Sequence, residues 1–220
     1  MMKKYVFCTV LVLLAPVAAS AQVFEIGAHG GYTLTGGIEF APTTSMGQVY
    51  DEVRHVDSFS WGFTAGAKVR RGYGIGFLFD RQESKLEVSG PLVEMELSDV
   101  AVDNYHGVIS FDYPVPHNPS SAAFLFIGFG ATSFGDVTFA GRSVDGPTEF
   151  STTWGGGFKV YPNDGAFGLK LAVRWTPTYI KTDPDGWWCD PYWGCTTYGD
   201  PDYIHQVEFM GGVSYRFTTH

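Results

Sequence analysis

The feature that most constrains the fold is an alternation of apolar and polar residues that recurs along the chain. In one segment, Leu169 and Leu171 share a face, whereas Lys170 and Arg174 share the opposite face. Successive side chains of a β-strand point to opposite faces, so each such segment predicts a strand with one apolar and one polar side. Eight segments show the pattern: 23–33, 59–70, 73–82, 104–113, 122–134, 150–160, 167–176 and 206–217.

The connections between these segments are alternately long and short. The short ones, 70–72, 114–120 and 162–165, are rich in turn-forming residues, and the long ones, 36–57, 84–100, 135–148 and 181–202, are polar. Barrels of bacterial outer membranes have short periplasmic turns and longer outside loops. The sequence therefore predicts an all-β fold, an eight-stranded antiparallel transmembrane up-and-down β-barrel.

Many of the side chains that would point into this barrel are charged. An eight-stranded barrel has barely enough room inside for its own side chains, so inward charges must pair with one another. We expect a polar plug of cross-strand ion pairs, and a narrow gated ion path is the alternative. The plug residues are Lys68, Arg70, Asp80, His106, Lys170, Arg174, Glu208 and Arg216, joined by Glu25, His29 and Lys159.

A soluble barrel of the lipocalin kind would also show alternation, and it is the structural alternative. It would bury its apolar face and expose its charges, whereas an aromatic outer face and a charged lumen favour lipid. The segment 122–134 is apolar at nearly every position, which leaves its facing ambiguous. We assign Phe124, Phe126 and Gly128 to the outer face.

The N-terminus has the three parts of a secretory signal peptide: MMKK at 1–4, an apolar run at 5–17 and AASA at 18–21. We expect cleavage after Ala21, which leaves residues 22–220 as the outer-membrane β-barrel domain. An N-terminal membrane anchor is the alternative, but the run is shorter than the roughly 20 residues of a spanning helix.

Cys8 lies in the predicted signal, so the exported chain keeps Cys189 and Cys195. Exported proteins meet an oxidising compartment, which favours a local disulfide between these two residues. A zinc site is the weaker interpretation because no pair of histidines lies nearby in sequence. We expect no metal ion and no cofactor.

The stretches TWGGGFKVY at 153–161 and LKLAVRWTPTY at 169–179 resemble those of the OmpA-like small eight-stranded outer-membrane β-barrel domain family. The resemblance covers the whole exported chain and implies a place in the outer membrane of a Gram-negative-type bacterium. It also implies that Phe217, near the chain end, is the aromatic insertion signal read by the barrel-assembly machinery. Thr218, Thr219 and His220 follow it, which departs from a free terminal aromatic.

The family that the sequence resembles includes members with passive, adhesive or anchoring roles. We therefore expect a monomer with a structural role in the envelope, in contact with lipid and lipopolysaccharide, and not an enzyme. The alternatives are a small ion or solute pore and a lipid A-modifying enzyme that uses His205, Asp200 or Asp202, with Ser60 or Ser151. The net charge of −9 argues against a nucleic-acid partner.

The last long connection is dense in aromatic residues. Trp187, Trp188, Tyr192 and Trp193 surround the two cysteines. Rigid aromatic side chains supply contact area at low entropic cost, so this loop is a candidate binding surface for an extracellular ligand. The alternative is that the rings pack over the barrel mouth as a lid.

Overall fold

The structure, a computed structural model, describes residues 23–45, 48–70, 72–90, 93–139, 142–180, 188–190, 194–196 and 202–218. The predicted signal peptide at 1–21 lies outside these residues and stays a prediction. Among the described residues, no helix has the length and apolar character needed to cross a bilayer.

The described residues form strands of very different lengths and one 3₁₀ turn at Pro162–Asp164. In chain order the strands are β1 (Val23–Thr35), β2 (Ile38–Ser45), β3 (Gln48–His55), β4 (Ser58–Arg70), β5 (Tyr73–Gly90), β6 (Val93–Val115), β7 (Asn118–Phe134), β8 (Val137–Phe139), β9 (Arg142–Val144), β10 (Thr148–Val160), β11 (Phe167–Ile180), β12 (Trp188–Asp190), β13 (Gly194–Thr196) and β14 (Asp202–Thr218).

Eight of these strands close into a barrel. Around the ring the order is β1, β4, β5, β6, β7, β10, β11 and β14, and β14 pairs back with β1. Every pairing in the ring is antiparallel. The predicted fold class and all eight predicted strand segments are confirmed.

Inside and outside alternate as the sequence predicts. On β11 the side chain of Leu171 is 68% exposed on the outer surface, whereas Arg174 on the lumen side is 2% exposed. The outer surface carries aromatic rings near both ends of the barrel. Trp61 and Trp154 lie toward the extracellular end, and Tyr73 and Tyr113 lie toward the periplasmic end. Such rings favour the headgroup level of a bilayer.

The facing that we assigned to β7 is wrong. Leu125 and Phe129 are the exposed residues of this strand, at 55% and 56%, and Phe124, Phe126 and Gly128 face the lumen. Because the segment is apolar on both faces, its sequence has no alternation that could indicate which residues face the lumen. The facing is set by the ladders to β6 and β10, where Phe124 is the partner of Asp112 and of Gly157.

Two of the predicted extracellular connections, 36–57 and 84–100, consist largely of strands. β2, β3 and the distal parts of β5 and β6 continue the ladder beyond the barrel, and we call this region the extracellular sheet. At roughly 3.4 Å per residue, the 23 residues of β6 reach far beyond an apolar band about 25 Å tall. A sheet with solvent on both faces needs no apolar side, so alternation cannot reveal it.

The periplasmic turns are tight. β4 and β5 are joined by residues 71 and 72, and Gly72 has a φ of 82°, a left-handed conformation that glycine adopts without a steric penalty. Its carbonyl accepts a hydrogen bond of 2.7 Å from the backbone nitrogen of Asp112. The turn thus connects three neighbouring strands at the end of the barrel where β1 begins and β14 ends.

Candidate functional site

Arg174 lies at the centre of the barrel lumen between two carboxylates. Its Nη2 atom lies 2.6 Å from Asp80 Oδ1 and 2.7 Å from Glu208 Oε2. Glu208 is the ladder partner of Arg174 on the adjacent strand β14, whereas Asp80 comes from β5, which is diametrically opposite in the ring. These contacts therefore bridge the lumen from wall to wall.

Two further side chains complete this group, which we call the central cluster: Arg174, Asp80, Glu208, His29 and Ser60. The Ser60 hydroxyl donates a hydrogen bond of 2.6 Å to Glu208 Oε1. His29 Nε2 lies 3.2 Å from Asp80 Oδ2. Since buried charges are stable only when paired and hydrogen-bonded, the cluster depends on all of these contacts together.

A layer of neutral polar groups lies next to the central cluster on its extracellular side. Gln206 Nε2 donates a hydrogen bond of 2.8 Å to Gln82 Oε1 across the lumen. His106 Nε2 lies 2.9 Å from the hydroxyl of Ser151, and the Thr132 hydroxyl bonds the same oxygen at 2.9 Å. All five side chains are buried, so this layer also fills the lumen.

The extracellular mouth is closed by apolar contacts. Val102, Phe134 and Ile204 are buried together, and Ile180 packs against them. The ring of His55, from the extracellular sheet, stacks on Phe134 with a centroid distance of 5.2 Å. Burial lowers the pKa of His55 to about 4, because the charged imidazolium would lose its water.

A second charged group, which we call the periplasmic cluster, lies near the opposite end of the lumen. It consists of Lys68, Lys159, Lys170, Glu25 and Asp112. The Nζ atoms of Lys68 and Lys159 both lie 2.7 Å from Asp112 Oδ2. Lys170 pairs with Glu25, and Lys159 Nζ is 3.5 Å from the same carboxylate. Three cations thus share two anions.

The remaining predicted plug residues lie at the periplasmic end. Arg216 Nε donates a hydrogen bond of 3.1 Å to the carbonyl of Gly165, and its guanidinium lies 4.2 Å from the centre of the Tyr161 ring. Arg216 therefore holds the last periplasmic turn against β14. Arg70 belongs to β4 by its backbone, and its side chain lies outside the described part of the molecule.

The structure also shows lumen contacts of two residues that are absent from the predicted polar plug. Asp112 anchors two lysines, and Ser60 holds Glu208. The alternation of 104–113 places Asp112 on the inward face, so the position of Asp112 in its strand is enough to predict it as a plug residue. The alternation cannot reveal which side chains pair across the lumen, because the pairs depend on the stagger of the strands around the ring.

His29, Asp80 and Glu208 offer ligand atoms that all lie within 4.8 Å of one another, a spacing that could hold a metal ion. The guanidinium of Arg174 is already in contact with both carboxylates. The positive charge that these acids require is therefore supplied by the chain itself, and the donor set fits an ion pair better than a metal centre.

Among the described side chains, those considered for catalysis do not come together. Ser60 and Ser151 are buried in the lumen, where they bond Glu208 and His106. His205 faces outward and lies against Trp175 and Tyr203, at centroid distances of 5.7 Å and 6.2 Å. The barrel wall thus lies between the candidate nucleophiles in the lumen and this histidine on the outer surface. Asp200 lies outside the described residues.

The aromatic loop is described only in part. Trp188 belongs to β12, whereas Trp187, Tyr192 and Trp193 lie outside the described residues, so the predicted binding surface stays a prediction. Cys189 is the ladder partner of Cys195 in the β12–β13 hairpin. Direct partners in an antiparallel ladder have Cα atoms about 4.5–5.5 Å apart, which a disulfide can bridge.

Phe217 lies at the periplasmic end of β14 on the outer face. Its ring stacks on that of Phe24 across the β1–β14 ladder, with centroids 5.5 Å apart. The contact links the final strand to the first one where the ring closes. Its role as an insertion signal stays a prediction.

A closed eight-stranded ring with an aromatic outer surface and a charged lumen defines a small transmembrane barrel of the outer-membrane type. The chain belongs to the outer membrane protein beta-barrel domain family, whose model matches residues 8–217. The protein is accordingly located in the outer membrane of a Gram-negative-type bacterium. No curated protein sequence matches the chain.

Solved structures of small outer-membrane barrels share the fold. The outer membrane protein OprG from Pseudomonas aeruginosa has a TM-score of 0.64 and 15% identity, over 91% of this chain and 98% of that one. Neisserial surface protein A has a TM-score of 0.56 and 13% identity, over 88% and 97%. The outer membrane protein AlkL has a TM-score of 0.50 and 14% identity, over 90% and 92%. At these identities the likeness concerns the fold alone.

Proposed function

We propose that this protein is a structural component of the outer membrane whose barrel is closed to ion flow and whose extracellular part binds at the cell surface. The central cluster is the observation that supports the proposal best. Arg174 bridges the lumen between Asp80 and Glu208, and all three side chains are buried. An ion that crossed here would have to break a paired, desolvated group, which is costly.

The layers above the cluster support the same conclusion. The bonded pair of Gln82 and Gln206 spans the lumen, and the apolar contacts of Val102, Phe134 and Ile204 close the mouth. A conducting path needs continuous water or a continuous row of polar sites. The alternative of a small pore would require several layers to move together.

A lipid A-modifying activity is supported less well. Such an enzyme needs a nucleophile, a base and an orienting carboxylate within hydrogen-bond reach. His205 lies on the outer surface against Trp175, whereas Ser60 bonds Glu208 in the lumen. We therefore propose a role without catalysis.

The extracellular part is the second half of the proposal. On β6, Glu94, Glu96 and Asp99 are exposed on the extracellular sheet. The loop with Trp187, Trp188, Tyr192 and Trp193 would add rigid aromatic contacts. An acidic sheet suits a cationic partner outside the cell, and a loop rich in aromatic side chains suits a carbohydrate. Lipopolysaccharide would surround the monomeric barrel below it.

A deletion strain of the native bacterium tests the two halves separately. We expect that loss of the gene increases uptake of a bulky antibiotic such as vancomycin and leaves lipid A unchanged in mass spectrometry. Complementation with the full chain, and with a chain that lacks residues 184–200, should restore the barrier equally, while only the full chain restores surface binding. An intact barrier in the deletion strain would contradict the structural role, and altered lipid A acylation would favour catalysis.

Biogenesis of the barrel gives a further test. We propose that Phe217 is part of the signal that the barrel-assembly machinery reads. Phe217→Ala should lower the amount of heat-modifiable protein in the outer membrane, because the last strand would be recognised poorly. Phe209→Ala is the matched control, since Phe209 is also exposed on the outer face of β14. Equal loss in both variants would contradict a signal role.

A further inference from the structure

A cavity of about 120 Å³ lies in the lumen between the central cluster and the periplasmic cluster. The space exists because the inward positions of several neighbouring strands carry no bulky side chain. Gly27, Gly66 and Gly76 occupy such positions on β1, β4 and β5, and Ala172 occupies one on β11.

The walls of the cavity are largely apolar. Phe124 and Phe126 project into it from β7, which is opposite β1 in the ring. Leu78, Val108 and Met210 line it from three other strands. A cavity of this kind favours the apolar part of a ligand over water, because water needs several polar partners.

The periplasmic end of the cavity is charged, and the charges do not cancel. Lys68, Lys159 and Lys170 line it together with Glu25 and Asp112. The three ammonium groups against two carboxylates leave one positive charge in excess. The Nζ atoms of Lys159 and Lys170 also lie 5.5 Å and 5.9 Å from the centre of the Phe124 ring. Positive charge thus adjoins the apolar wall.

The periplasmic end of the cavity carries partly exposed side chains, whereas buried ion pairs lie at its extracellular end. The side chains of Lys68 and Lys170 are 29% and 22% exposed, whereas that of Lys159 is 6% exposed. On the extracellular side, the central cluster closes the lumen with buried ion pairs. A ligand could therefore enter past Lys68 and Lys170 from the periplasm.

We infer that this cavity is a periplasm-facing binding site for a small carboxylate with a short apolar tail. The carboxylate would bind the ammonium groups of Lys68 and Lys170, and the tail would lie against Phe126 and the glycine positions. An apolar cavity of about 150 Å³ holds a molecule of the size of benzene, so this one has room for a tail of a few carbons. The site goes beyond the proposed structural role and does not depend on it.

The test uses 4,4,4-trifluorobutyrate as a probe for ¹⁹F NMR with the full barrel folded in lipid nanodiscs. We expect a saturable shift or broadening of the fluorine signal that empty nanodiscs do not cause. Butyrate should displace the probe, whereas butylammonium, with the same tail and the opposite charge, should not. Displacement by both, or a signal that the barrel leaves unchanged, would overturn the inference.

Two variants locate the site. Lys170→Gln removes the excess charge and should weaken binding about tenfold or more, equivalent to at least about 1.4 kcal/mol. Lys85→Gln is the matched control, because Lys85 pairs with Glu96 on the extracellular sheet, far from the cavity. Ala172→Leu keeps every charge and fills the cavity, so it should abolish binding.

Heat-modifiable gel migration shows whether each variant is folded. If Lys170→Gln does not fold, Ala172→Leu and the two competitors still decide the question. Binding that persists unchanged in folded Ala172→Leu would place the probe elsewhere and overturn the inference. Binding that is lost equally in Lys85→Gln would show a general charge effect and would overturn it as well.

Discussion

Arg174 on β11 donates a hydrogen bond of 2.6 Å to Asp80 on β5, the strand diametrically opposite in the ring. This contact joins residues 94 positions apart and crosses the whole lumen. The bond therefore links two opposite walls of the barrel directly. We therefore expect the stability of the fold and the proposed closure of the lumen to depend on the same side chain.

Removal of Arg174 should destabilise the barrel strongly. Arg174→Met leaves Asp80 and Glu208 as adjacent buried carboxylates without their shared cation, and we expect a loss of about 3–5 kcal/mol in the free energy of unfolding. Urea titrations in lipid vesicles, followed by tryptophan fluorescence, measure it. The triple variant with Asp80→Asn and Glu208→Gln should recover part of the loss. No recovery would show that packing rather than charge dominates.

His55 should make stability depend on pH. Burial lowers its pKa from 6.5 to about 4 in the folded protein, so the unfolded chain binds a proton first as the pH falls. This contribution is fully present above pH 6.5 and decreases between 6.5 and about 4, with a slope of at most about 1.4 kcal/mol per pH unit. His55→Phe keeps an aromatic ring next to Phe134 and lacks the titrating imidazole, so its free energy of unfolding should decrease less steeply than that of the wild type between pH 6.5 and about 4. Identical pH profiles would contradict the assignment.

The facing of β7 can be checked directly. Spin labels at Leu125→Cys and Phe124→Cys, with the native cysteines replaced by Ser, report whether each site is in lipid. We expect the label at 125 to collide with dissolved oxygen and not with a water-soluble nickel reagent, because Leu125 is exposed on the outer surface. The label at 124 should show low accessibility to both. Reversed results would mean that the strand is turned the other way.

The cysteine pair should be oxidised in the exported protein. Ladder partners at Cys189 and Cys195 are close enough for a disulfide, so the intact mass should be two hydrogens lower before reduction than after it. Ser substitution of both residues should leave the heat-modifiable migration of the barrel unchanged, because the hairpin lies in a loop. Free thiols that react with maleimide without reduction would contradict this prediction.

The strands could be predicted from the sequence because a barrel in lipid imposes a period of two on each of them. Leu171 and Arg174 had to lie on opposite faces, and they do. Beyond the bilayer no such period is imposed, so the sequence predicts a loop at 36–57, where the structure has the strands β2 and β3 of the extracellular sheet. On β7 both faces are apolar, so only pairing with β6 and β10 fixes the facing of Phe124.

The candidate site shows the same division. The alternation along the strands identifies Asp80, Arg174 and Glu208 as lumen residues, because a charged side chain on such a strand has to face inward. The alternation cannot indicate that Asp80 contacts Arg174 while Lys170 contacts Glu25. Those partners are set by the stagger of the strands around the ring, a property of the closed barrel. The cavity was not foreseen either, since it depends on glycines that coincide on adjacent strands.

Planar-bilayer recording of the purified barrel measures whether the buried contacts of Arg174 close the lumen to ions. We expect no discrete single-channel steps for the wild-type protein over the range of voltages at which the bilayer itself is stable. Folded Arg174→Met should show brief openings or an increased leak, because the cation that joins the two walls is gone. Regular ohmic steps from the wild-type barrel, unchanged in Arg174→Met, would show that these contacts do not close the lumen.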